Sequence, residues 1–137
     1  MGPSPRGTAG VALLLLGSIG IVLSGVFPWR LLNGVPTETP QHVAAAVMVF
    51  GLTPLGLIVF SRRMNADARW QGLAGYTLAT GIVMALLFPL IGILAIPETG
   101  PLHPWVGLLQ RVICAVWFTC FVVLANRLRS LNSLTHA

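Results

Sequence analysis

The chain has no lysine and only three acids, Glu38, Asp67 and Glu98, so charged residues make up 8% of its 137 positions. A soluble domain carries about 25% charged residues, because its surface is large relative to its volume. Eight arginines and three carboxylates do not coat such a surface, and an ordinary soluble domain is excluded. Intrinsic disorder is excluded as well, because hydrophobic residues make up 55% of the chain and its mean hydropathy is +0.86. Cysteine is scarce. Cys114 and Cys120 stand in one apolar run, and on a helix about 9 Å of rise would separate them, too far for a disulfide. There is no CxxC pair and no paired-cysteine metal spacing, so both read as apolar filler. A glycine-rich nucleotide loop, a serine elbow and an HExxH motif are also missing. The net charge of +5 comes from arginines that punctuate apolar runs instead of forming a stripe on a polar surface. That pattern speaks for membrane topology and against nucleic acid.

An integral membrane protein remains. Four apolar runs, at about 9–27, 42–60, 73–96 and 105–125, are each long enough to cross a hydrocarbon core roughly 30 Å thick. Backbone groups in hydrocarbon must pair internally, so the runs should be helices. They lack the alternation of barrel strands. The first run lacks a small-x-small exit and is expected to be a span, not a cleaved signal peptide. The links Pro28 to Gln41, Ser61 to Gly72 and Pro97 to Pro104 are short, so neighbouring helices run antiparallel. The expected fold is an all-α membrane protein, a compact antiparallel bundle of four transmembrane helices forming one domain over residues 1–137.

Orientation follows from charge. Arg6, Arg62, Arg63, Arg69, Arg127 and Arg129 fall in the three segments on one side, and Arg30 alone falls in the links on the other. Positive residues stay inside, so both termini are expected in the cytoplasm of a multi-pass protein of the bacterial cytoplasmic (inner) membrane. Trp29 and Trp105 then mark the outer interface, Trp70 and Tyr76 the inner one, and Trp117 is a packing residue deep in the fourth span. Arg62 and Arg63 serve topology or touch anionic lipid at the inner leaflet. Gly17, Gly20 and Ser24 in the first span, and Thr77, Gly81 and Ala85 in the third, are candidate stripes for close helix contact. Glycine-rich composition alone would also produce them. Pro54 and Pro89 each remove a backbone hydrogen bond and are expected to kink their helices.

Arg111 lies about 9 Å above Trp105 along the fourth helix, inside the outer part of the core. An arginine there stays charged and needs compensation. Three readings stand open: an ion pair with Glu38 or Glu98, an anion or lipid-headgroup site, or partner contact or snorkelling. Gln110 is a second candidate ligand-binding residue, but it points about 100° away and need not serve the same site. His42, His103, Glu38 and Glu98 all fall at the outer interface. They are candidate acid–base residues or zinc ligands, although their spacing matches no recognised metal motif.

Gly25-Val26-Phe27-Pro28 closing the first span, His42 opening the second and Gly107-Leu108-Leu109-Gln110-Arg111 in the last resemble the bacterial integral membrane family of unknown function numbered 998. The resemblance covers most of the chain. Members have about six spans, so it implies a shortened relative here, with His42 and Arg111 in matching outer-side positions. It supplies no reaction and no cofactor. The leading expectation is a non-enzymatic protein whose outer end binds a lipid headgroup, an anion or a membrane protein partner through Arg111, with homo-oligomer formation open. The alternatives are a small membrane enzyme acting on a lipid-like substrate through His42 and His103, or a small dimeric transporter. No acid lies within a span, which counts against proton coupling.

Overall fold

A computed structural model describes residues 5–27, 30–32, 35–37 and 39–135. The first helix, α1 (Pro5–Val26), leads into a short antiparallel ribbon of β1 (Arg30–Leu32) and β2 (Val35–Thr37), with Arg30 opposite Thr37 and Leu32 opposite Val35. The second span is composite: α2 (Pro40–Val47), a π turn (Met48–Leu52) and α3 (Thr53–Asn65). Then come α4 (Gln71–Leu94), a 3-10 turn (His103–Trp105) and α5 (Val106–Thr135). Four helical stretches are long and apolar enough to cross a membrane, making this an all-α multi-pass membrane protein. The ribbon is the one departure from helix among the described elements. Its strands have three residues each, too short for an alternating pattern to be read.

Local chemistry explains the helix ends. Thr39 is extended (φ −85°, ψ 148°) and its hydroxyl accepts from the His42 amide, while Pro40 fills the first turn, where its missing N–H goes unused. At the other end α3 runs on through Arg62 and Arg63 to Asn65, and α5 through Arg127 and Arg129 to Thr135, beyond their apolar runs. Extending a formed helix adds one hydrogen bond per residue, and arginine stems can lie along it with their charges in water. At 1.5 Å per residue α5 is about 45 Å long, so its last turns clear the core.

The two prolines behave differently. Pro54 follows the π turn, where the widened ladder accommodates a ring that would otherwise clash one turn back. Pro89 lies inside an unbroken α4. Phe50 of the π turn stacks on Phe88 beside Pro89, with ring centroids 4.9 Å apart, so the π turn meets the proline-bearing turn of α4.

Helices inside a bilayer gain little transfer energy by pairing, so close van der Waals contact must hold them. The small-residue stripes supply it. α1 packs on the second span, α3 on α4, and α4 on α5. A Cβ on Gly10 would stand 2.9 Å from the Phe60 backbone nitrogen, and one on Gly20 would stand 2.8 Å from Met48 Cβ. At Gly17 the same place is already taken by the Thr53 hydroxyl. Thr77 and Gly81 are buried, and Ala85 is half-buried. Ser24 bonds back to its own helix at Ile21 O. Leu57, Met64, Met84, Trp117 and Cys120 form the centre of the core. Thr80 and Cys120 are buried on α4 and α5, which pack together, and both cysteines are free thiols.

Candidate functional site

The end of the bundle that holds His42 and His103 is assembled from the ends of α1 and α4 and the starts of α2 and α5. Its two histidines have parallel environments. His42 Nδ1 lies 2.8 Å from the carbonyl oxygen of Phe27, just past the end of α1. His103 Nδ1 lies 3.1 Å from the carbonyl oxygen of Ala95, just past the end of α4. A carbonyl can only accept, so Nδ1 is the donor in both. The last carbonyls of a helix lack intrahelical partners, and each histidine, opening the next helical segment, supplies one. Within the α4–α5 link, Gly100 N donates to Pro97 O (2.8 Å) and Leu102 N to Leu94 O (3.0 Å), closing a compact cap. Gly100 is required there, because a Cβ would run into the carbonyls of Leu94 and Pro97. Replacing His103 by alanine is expected to cost about 1 kcal/mol, read as a lower thermal midpoint in detergent. His103→Gln, which keeps a donor, should recover part of it. An unchanged midpoint for His103→Ala would remove the capping role.

Among the described residues no three of His, Cys, Asp and Glu come together as a metal set. Glu98 is exposed in the link. Glu38 lies outside the described residues. Gln110 and Arg111 are both exposed on α5. The Arg111 guanidinium folds back one turn: its Nη1 is 3.8 Å from where a Cβ on Gly107 would stand. Glycine at 107 leaves that path open toward the start of α5. Arg111 makes no ion pair with Glu98, and the ion pair among the described residues is Asp67–Arg69.

The segments on which the family resemblance rests, the end of α1, His42 and Gly107 to Arg111, thus belong to one end of the molecule. A family model described as "Protein of unknown function (DUF998)" matches residues 1–127. The chain belongs to this family. No curated protein and no solved structure matches this DUF998 chain.

The opposite end of the DUF998 chain holds a feature that its sequence did not announce. A cleft of about 360 Å³ opens between the start of α1, the end of α3 and the α3–α4 link. Val11, Phe60 and Met64 make its apolar side, Arg63, Asp67 and Arg69 its charged side, and Trp70 closes it at the link. Arg69 grips Asp67 twice, Nε to Oδ1 at 3.1 Å and Nη2 to Oδ2 at 2.8 Å, and its backbone N–H adds a third bond at 3.0 Å. These bonds hold the Asp67 carboxyl below its ordinary pKa. From α5, Arg127 donates to Arg69 O through Nη2 (2.7 Å) and Nε (3.1 Å). The middle link and the last turns of α5 therefore stand at one end, with the start of α1 beside them. The available sequence signal was an aspartate two residues before an arginine, next to a tryptophan. It is too common a pattern to mark a site.

Proposed function

We propose that this protein lies in the bacterial cytoplasmic membrane with both termini in the cytoplasm, and that its outer end holds the anionic headgroup of a phospholipid through Arg111. The observation that carries the reading is an exposed arginine on a membrane span, turned toward the outer end, with no carboxylate partner among the described residues. An arginine centred in the core costs about 2.5–3.5 kcal/mol on insertion scales. Folding back over Gly107 brings the guanidinium toward the headgroups, where a phosphate offers charge-assisted, two-point hydrogen bonds. Gln110 is a neighbouring donor on the next helical position. The arginines gathered at the other end support the orientation by the positive-inside rule. His42 and His103, engaged at helix ends, contribute rigidity to this end.

The test is native mass spectrometry of the protein in mild detergent with phosphatidylglycerol added. The wild type is expected to retain a lipid adduct that Arg111→Ala loses without loss of fold. Full retention by the variant would end the proposal. A mass that doubles with Arg111 intact and not in the variant would point to a second copy of the chain as the partner instead.

A further inference from the structure

We infer that the cleft at the arginine-rich end is a separate lipid site, in which one anionic phospholipid places its phosphate on Arg63 and an acyl chain along Val11 and Phe60. The inference rests on the cleft and not on Arg111. Charge balance comes first. Asp67 is held by Arg69, so these two cancel within the wall. The Arg63 guanidinium makes no hydrogen bond or ion pair among the described residues and acts on Asp67 only through space, so two arginines against one carboxylate leave one positive charge in excess on the cleft wall.

Depth comes next. Val11 and Phe60 belong to apolar stretches of α1 and α3, and Arg63 stands about one turn beyond Phe60. The cleft therefore passes from acyl-chain level to headgroup level, with Trp70 at the boundary that tryptophan prefers. A free phosphate would use Arg63 and leave the apolar wall bare. A lipid uses both.

The wall is also built before any ligand arrives. Trp70 N donates to Asp67 O (2.8 Å), Asp67 N to Met64 O (3.1 Å), and Arg127 secures Arg69 O from α5. A pre-formed site loses less ordering entropy on binding.

The test titrates phosphatidylglycerol or phosphatidylcholine into the full chain in mild detergent and counts bound lipids by native mass spectrometry. Arg63→Gln is expected to weaken one phosphatidylglycerol adduct by at least about tenfold. Arg62→Gln, one residue away and outside the cleft, should leave it unchanged, as should Arg111→Ala. Val11→Trp, which fills the apolar side and keeps every charge, should remove the same adduct. Val11 is 43% exposed, so the substitution does not disturb the core. Equal weakening by Arg62→Gln and Arg63→Gln would mean a diffuse basic surface and overturn the site. So would equal retention of phosphatidylcholine, or an adduct that survives Val11→Trp. Displacement of the lipid by excess inorganic phosphate would identify a free-phosphate site and overturn the lipid assignment.

Discussion

Gly81→Leu is expected to cost the bundle about 3 kcal/mol, read as earlier unfolding in a denaturing-detergent titration. A Cβ at position 81 would stand 2.9 Å from Ile58 Cγ1, 3.0 Å from the Pro54 carbonyl oxygen and 3.1 Å from Leu57 Cβ. Of these atoms only Ile58 Cγ1 belongs to a side chain with freedom to swing away, and the backbone oxygen of Pro54 cannot yield without moving α3. Because α3 sits between α1 and α4, displacement there is felt on both sides. Gly75→Leu and Gly92→Leu are the controls. They lie on the same helix, and a Cβ at either meets nothing within 4 Å. If Gly75→Leu is as damaging as Gly81→Leu, the loss is a general effect on α4, and close approach at Gly81 does not hold the helices.

Trp117→Ala is expected to cost about 3–5 kcal/mol, whereas Trp117→Phe should cost less than about 1.5 kcal/mol. Trp117 is only 3% exposed, and its ring contacts Phe118 (centroids 5.1 Å) and Phe121 (5.6 Å) along α5. Alanine removes most of a buried side chain and with it the contacts that α5 makes through the ring. Phenylalanine keeps a ring and removes the indole N–H, which has no acceptor among the described residues. A buried donor without a partner destabilises its site, so its removal offsets part of the lost volume. The two variants, compared in the same titration, separate volume from hydrogen bonding. Equal losses would show that the indole N–H is bonded in the membrane, and the place to look would be a ligand or water beside α5.

The residues that informed the sequence reading best were those whose effect is local. Gly17, Gly20, Thr77 and Gly81 sit at helical spacing, which made contact faces one of two open readings, and the structure places all four in close helix contact or buried. Trp117, far from either interface along an apolar run, had little option but to pack. His42 and His103 were harder. Their positions at helix starts were legible, but their chemistry was not: nothing local says that His42 will meet Phe27 O, or His103 Ala95 O. Such bonds depend on how the chain returns after a link. The π turn before Pro54 was similarly hidden, because proline announces a disturbed ladder without saying which form the disturbance takes.

Scarce charge, long apolar runs and the placement of arginines determined by themselves that this is a four-helix membrane protein, because runs without barrel alternation can pair their backbone in hydrocarbon only as helices. The tertiary structure decided which polar groups are engaged and which remain open. It tied both histidines to helix ends, turned Arg111 back over Gly107, cancelled Asp67 with Arg69 and left Arg63 facing a cleft whose walls come from distant parts of the chain. Transfer into a bilayer is a sum over neighbouring residues and can be read along a sequence. Compensation of a charge depends on what the fold brings within about 4 Å of it, and only the folded chain specifies that.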